Sequence, residues 1–207
     1  MLKTENNNLK ERVDSIENDF LNFKNEIKAK RNKITIYSNI INRNKSYKKA
    51  LKNWINPNQG IKSKLLYRLS KDGGSIFTFH NKCDHISPTL VLVESLDGYK
   101  FGGFTTCTWD KKEIDKNDGN TFLFSFNNNQ KFNKKDSQSR NRDIYSGDPV
   151  NGPYFGNCDL YFYGSMKECY SYKGSQYSFL NDKDLANNKN ALFEVKEVEV
   201  YKLIFKP

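Results

Sequence analysis

Histidine is almost missing from this chain of 207 residues: His80 and His85 are the only two. A Ser–His–acid triad therefore has few possible bases. His80 shares a predicted helix face with Phe79 and Cys83, which reads as a packed core histidine. Cysteine is scarce too. Cys83, Cys107, Cys158 and Cys169 show no CxxC spacing. The N-terminus, MLKTENNNLK, lacks the apolar centre of a signal peptide, so the thiols are expected to be reduced and mostly buried, in a cytoplasmic protein. His80, Cys83, His85 and Cys107 fit no standard zinc pattern, and no metal is expected. There is no GxxxxGK[ST] loop, and no cofactor is expected. No apolar run approaches the roughly 18 residues needed to span a bilayer. Without a catalytic constellation, the chain reads as non-enzymatic.

Acidic residues are absent from one long stretch. Between Lys28 and Lys52 there are nine Lys and Arg and no Asp or Glu. Up to Gly60 the balance is 13 basic to 6 acidic, and beyond it 21 to 18. The net charge of +10 is thus concentrated in the N-terminal part. Lys45, Lys48, Lys49 and Lys52 form either a solvated helix face or a footprint for an acidic protein face, anionic lipid or nucleic acid. No RNP-like strand or zinc finger accompanies them, so nucleic acid is not the expected partner. Asparagine is abundant throughout (27 residues). A chain-wide bias of this kind is read as coding bias.

Residues 2–41 carry a heptad. Val13, Phe20, Ile27, Ile34 and Ile41 are seven apart, and so are Leu2, Leu9, Ile16 and Phe23. The first series occupies a and the second d, which argues for a coiled coil rather than a surface helix. Its core positions are Leu9, Val13, Ile16, Phe20, Phe23 and Ile27, with Asn6 at a and Lys30 at d as breaks. Residues 2–37 are expected to pair as a parallel homodimer or with a related coil, and the pattern could continue a longer coil. The expected organisation is a coiled-coil helix at 1–41, a linker at 42–46 and a domain at 47–207.

Within that domain the hairpin TLVLVESLDGYKFGGFTT, residues 89–106, is the centre. Leu90 to Val93 leave no polar face, so the strand is expected to be covered on both sides. Gly102 and Gly103 lie inside the returning strand, marking a bulge or a close approach by an aromatic partner. Ile76, Phe79, His80 and Cys83 predict a short helix N-capped by Ser75. Phe122, Phe124 and Phe126 alternate as a strand. Residues 127–151 read as a long polar insert, mobile or functional. Leu160 and Phe162 alternate with Tyr161 and Tyr163. In the last strand, Phe193 and Val195 are out of phase with Val198 and Val200, which predicts a bulge near Lys196–Glu197.

LLYRLSKDGGSIFTFHNKCD (65–84), PTLVLVESLDGYKFGGFTT (88–106), Trp109, FLFSF (122–126), GPYFG (152–156), DLYF (159–162) and VEVYK (198–202) occur in that order. This series resembles the TLDc domain. The resemblance implies an α+β, mainly antiparallel fold: a two-sheet β-sandwich with short flanking helices, here preceded by the coiled-coil helix. It also implies that Asp72, Gly73, Gly102, Gly103, Gly152, Phe155 and Gly156, which match the family motifs, are fold determinants. The family is associated with resistance to oxidative stress, and several members bind the vacuolar proton-pumping ATPase. No agreed active site carries over, so no catalytic residue is expected. The expectation is a protein-interaction module that regulates the proton pump (V-ATPase) or oxidative-stress resistance. The alternatives are an architectural protein on a filament or large assembly, such as a microtubule, and a cysteine-dependent redox-defence enzyme.

Overall fold

Four apolar residues in a row, Leu90 to Val93, require cover on both faces of their strand, and the structure supplies it. The computed structural model describes residues 2–31, 33–135, 142–146, 149–172, 176–178, 185 and 192–206. In chain order the elements are α1 (Leu2–Arg31), β1 (Ile34–Thr35), α2 (Lys45–Ile55), β2 (Ile61–Arg68), α3 (Leu69–Asp72), α4 (Ile76–Cys83), β3 (Thr89–Ser95), β4 (Lys100–Thr105), β5 (Asp115–Lys116), β6 (Phe122–Ser125), β7 (Gln130–Asn133), β8 (Ile144–Tyr145), β9 (Asn151–Phe155), β10 (Leu160–Tyr163), β11 (Glu168–Tyr170) and β12 (Leu192–Phe205). The fold is α+β with mainly antiparallel β, led by one long helix.

Two sheets share β12. Its first residues pair with β11, continuing through β10, β9, β8 and β5. Its remainder lies between β2 and β3, continuing through β4, β6 and β7. The register shifts between Val195 and Glu197, at the predicted bulge. A 14-residue strand that serves two sheets must bend where it changes partner, and a bulge bends it there.

Side chains alternate across β3, so its two faces feed two cores. Val91 and Val93 join Phe101, Trp109, Leu123, Phe155, Leu160, Phe162 and Val198. Leu90 and Leu92 join Ile36, Ile40, Ile41, Leu51, Phe104, Phe122 and Phe124 on the other side. The helix α4 buries Ile76, Phe79, His80 and Cys83 as predicted. Ser75 precedes it but makes no side-chain cap bond. Its carbonyl accepts from Thr78 and Phe79 instead.

The N-terminal boundaries differ from the sequence reading. The helix α1 ends at Arg31, not near residue 41. Ile34 pairs in parallel with Ile61, and Ile36, Ile40 and Ile41 are buried in the second core. Ile34 and Ile36 are inward with Thr35 and Tyr37 outward, which is the two-residue period of a strand rather than a helical one. Residues 42–46 do not form a free linker, because Asn44 caps α2, its side chain accepting from the Tyr47 amide at 3.0 Å. The packed domain therefore begins near Ile34 rather than Tyr47.

The polar insert is also shorter than expected. Strands β7 and β8 lie within residues 127–151, burying Phe132 and Ile144. Residues 136–141 and 147–148 lie outside the described residues, as do Phe179 and the side chains of Leu2 and Lys30.

Candidate interaction surfaces

The family-motif residues lie inside the fold. Gly102 and Gly103 continue the β4 register without a bulge. They make room instead. A Cβ at Gly103 would meet Phe155 Cζ at 2.5 Å, so Phe155 of β9 is the aromatic that lies over the glycine. Phe155 also meets Trp109 edge-on at 5.4 Å, and Trp109 meets Phe79 at 6.0 Å. The Trp109 indole N–H donates to Thr89 Oγ1 at 3.0 Å. Gly152 would meet Met166 sulfur at 2.7 Å. Gly156, at φ 62°, sits against the Asp159 carboxylate. Gly73 ends α3, and Asp72 reaches back to the Arg68 amide at 2.9 Å and to Lys82 Nζ at 3.1 Å.

Buried acids are likewise engaged. Asp159 accepts from the amides of Asn157, Gln176 and Tyr177. Asp143 accepts from the amides of Asp118 and Gly119 at 2.7 and 2.9 Å, and its other oxygen is 2.9 Å from Lys134 Nζ. Donor atoms of Cys107, Asp118 and Asp143 lie within 4.8 Å of one another. The Lys134 ammonium already pairs with Asp143, and Asp118 accepts from the Thr106 hydroxyl and the Asn120 amide, so a cation there would compete with these partners. His80 bridges Asp84 and the Asn151 carbonyl, each at 2.8 Å, tying α4 to β9.

Burial pushes the thiols of Cys83 and Cys169 well up and that of Cys107 up to about 12. Lys82, beside Cys83, works against the rise but is outweighed. These three thiols stay protonated at neutral pH and are poor nucleophiles. Carboxyls behave oppositely. Burial alone would raise Asp72, Asp110 and Asp118, but hydrogen bonds from Arg68, Lys116 and Thr106, among others, hold all three below the usual range. A depressed folded-state pKa gives stability that is present above the unfolded value of about 3.9 and lost as pH falls through the folded one. Unfolding free energy is thus expected to be flat between about pH 5 and 7, to fall below about pH 4, and to fall again above about pH 8.5, where the unfolded thiols ionise and the buried ones do not. Asp72→Asn should flatten the acid-side fall in urea titrations across pH. A slope identical to wild type would remove Asp72 from the account.

The basic stretch is only partly a surface. Lys45 and Lys49 are exposed and Lys48 is half-buried. Lys52 is buried, its ammonium donating to the Asn56 carbonyl at the end of α2. It serves as a C-terminal cap, which corrects its place in a four-lysine face. Nearby, Trp54, Phe104, Phe122, Lys131, Lys134 and Lys135 help line a cleft of about 720 Å³. Lys131 is spoken for: its Nζ donates to the Trp54 carbonyl at 3.1 Å and sits 4.2 Å over the Phe122 ring.

Sequence reasoning missed a row of tyrosines. Tyr154, Tyr161 and Tyr170 are direct cross-strand partners on the outer face of β9, β10 and β11. Their rings stack at 4.9 and 5.0 Å. Tyr145 meets Tyr154 edge-on at 5.4 Å, with the Arg142 guanidinium 4.9 Å over its ring. Tyr172, 48% exposed, continues the row at 6.4 Å from Tyr161. The available signal was phase. Tyr161 and Tyr163 occupy the positions opposite buried Leu160 and Phe162.

The helix α1 is the other open surface. Every described side chain from Glu5 to Glu26 is exposed. Leu9, Val13, Ile16, Phe20 and Phe23 are each at least half exposed, and Ile27 is half-buried. No helix among the described residues is long and apolar enough to cross a membrane.

Comparison with known proteins agrees with this architecture. A segment of 65 residues, 30% of this chain, is 40% identical to MTOR-associated protein MEAK7 of Mus musculus, of which it covers 14%. A 62-residue segment is 34% identical to MTOR-associated protein MEAK7 of Danio rerio, again covering 30% of this chain and 14% of the relative. The chain thus spans a small part of the curated relatives it matches. The TLDc-domain family model matches residues 17–204. That range takes in both sheets, the glycine hairpin and the Phe155–Trp109 core, and this chain belongs to the TLDc-domain family.

Proposed function

We propose that the chain is a non-enzymatic TLDc protein-interaction module of the cytoplasm, and that the tyrosine row on the outer face of the second sheet contacts its partner. The row carries the reading. Tyrosine presents a large, rigid and amphipathic contact at low entropic cost and is enriched in interface hot spots. His80, Asp143 and Asp159 are meanwhile engaged in hydrogen bonds that hold the fold together. The partner implied by the family resemblance is the peripheral sector of the vacuolar proton-pumping ATPase, with resistance to oxidative stress as the phenotype. The relatives' name gives a second assembly to test, one containing MTOR. Paired with a second copy or a related coil through residues 2–37, the module is carried on α1.

Pull-down from lysate with wild type and with Tyr161→Ala/Tyr172→Ala tests the reading. Bound pump subunits are expected to drop by about tenfold or more in the variant, as for hot-spot residues. Repeated wild-type pull-downs without any pump subunit would remove that partner, and equal recovery by the variant would remove the tyrosine face. Exposure of Lys45 and Lys49 favours the architectural reading as a second one. Co-sedimentation with microtubules that is unchanged by neutralising both lysines would count against it. Peroxide protection that survives replacing all four cysteines by serine would dispose of a thiol enzyme.

A further inference from the structure

We infer that α1 pairs with α1 of a second copy of this chain in parallel and in register, so that two TLDc domains stand at the same end of one rod. The inference rests on the reading that α1 pairs with another helix, and adds which helix, in which direction and at which register. In a parallel coil with Val13 at a and Ile16 at d, each g residue faces the e residue five positions on in the partner copy. Here g holds Glu5, Arg12, Asp19 and Glu26, and the matching e positions hold Lys10, Glu17, Lys24 and Arg31. All four facing pairs are of opposite charge, and because the coil is two-fold symmetric each forms twice. The sign reverses at Arg12–Glu17, so the match is self-complementary and register-specific: an identical helix, in this register, satisfies it.

Other arrangements lose the match. An antiparallel pair sets e against e and g against g. The e series then faces itself with Lys10 and Lys24 both cationic, and a one-heptad slip in the parallel pair sets Glu5 against Glu17 and Asp19 against Glu17. Asn6 points the same way. At a in a parallel, in-register pair it faces its own copy and can hydrogen-bond to it, a known determinant of register. The exposed stripe from Leu9 to Phe23 is the surface such a pair would bury.

The consequence is bivalency. Two residues separate the end of α1 from β1, and β1 is already hydrogen-bonded to β2. Thirty helical residues make a rod of about 45 Å, and both domains follow from the same end of it. A target carrying repeated copies of one site would be held by both domains, the second contact being effectively intramolecular.

Charge reversal in the full-length chain tests this. Lys10→Glu/Lys24→Glu makes like charges meet at two of the four pairs, and so does Glu5→Lys/Asp19→Lys. Sedimentation equilibrium should show each variant alone dimerising about tenfold or more weakly than wild type, and an equal mixture regaining wild-type affinity. Only the parallel, in-register heterodimer restores every opposite pair. In a separate variant, Asn6→Cys should give a reducible dimer on mild oxidation that the wild type, with its four native thiols, does not. Tryptophan fluorescence should be unchanged throughout, because no described side chain of α1 belongs to either core. A wild type that stays monomeric at high concentration overturns the pairing itself. A dimer that survives both reversals, is not rescued by mixing, or fails to cross-link through residue 6 overturns the register and direction while leaving the pairing.

Discussion

Gly102→Ala is expected to be among the most damaging single changes in this domain. A methyl group at residue 102 would be driven into the Val91 carbonyl oxygen of the neighbouring strand and to 2.9 Å from Phe124 Cζ. The first obstacle is backbone, held by the β3–β4 ladder, and cannot swing aside. A loss of at least about 3 kcal/mol is expected, at the upper end of overpacking effects. Gly103→Ala is the informative contrast. There the methyl meets Phe155 Cζ at 2.5 Å and Leu123 Cδ2 at 2.9 Å, which are side chains. It should cost about 1–3 kcal/mol. Phe155→Leu should recover part of that in the double variant, a coupling of about 1 kcal/mol. Urea midpoints at unchanged slope measure all four proteins. If Gly102→Ala proves milder than Gly103→Ala, close strand approach is not what the glycines provide.

Arg68→Ala is expected to loosen the N-terminal strap of the domain. Glu199 is fully buried on β12. One of its oxygens takes Arg68 Nη2 at 2.7 Å, Arg68 Nε at 2.8 Å and the Asn39 amide at 2.9 Å. Its other oxygen takes the Ser38 hydroxyl at 2.5 Å and the Tyr201 hydroxyl at 3.0 Å. Without Arg68 a buried carboxylate keeps only neutral donors. Removing one partner of a buried pair costs about 3–5 kcal/mol. Arg68 is 19% exposed, so a value near about 3 kcal/mol is expected. Ser38→Ala, which removes one neutral donor, should cost about 1 kcal/mol. Hydrogen exchange should show the amides of Ile40 and Ile41 opening first, because both donate to Ser38 Oγ beside the carboxylate. A loss under about 0.5 kcal/mol, in the range of surface changes, would mean that Ile36, Ile40 and Ile41 hold the strap without the ion pair.

Strands with strong local patterns were legible in the sequence. The unbroken run Leu90–Val93 announced a strand covered on both faces, and the slip between Val195 and Val198 announced the bulge that lets β12 serve two sheets. The polar strands were not legible. Gln130–Asn133 carries Phe132 alone to the core. An edge strand needs few apolar residues, and what places it is backbone hydrogen bonding to Phe122–Ser125 across the short turn at 126–129, which leaves little mark on side-chain pattern. Ile34 and Ile41 misled for a related reason. Spacing of seven is shared by a heptad and by chance, and the burial that decided between them comes from Leu51, Leu90 and Leu92.

The sequence by itself determined the family motifs, the mainly antiparallel class, the apolar and charged series of α1, and the scarcity of histidine and cysteine. These depend on residue identity at short separation, where helix and strand periods act. Tertiary structure alone decided the tyrosine row, the Glu199 node and the upward shift of the Cys83, Cys107 and Cys169 thiols. Tyr154, Tyr161 and Tyr170 become neighbours only through strand register, Arg68 and Glu199 only through the β2–β12 pairing, and a thiol's pKa is set by the water its surroundings exclude.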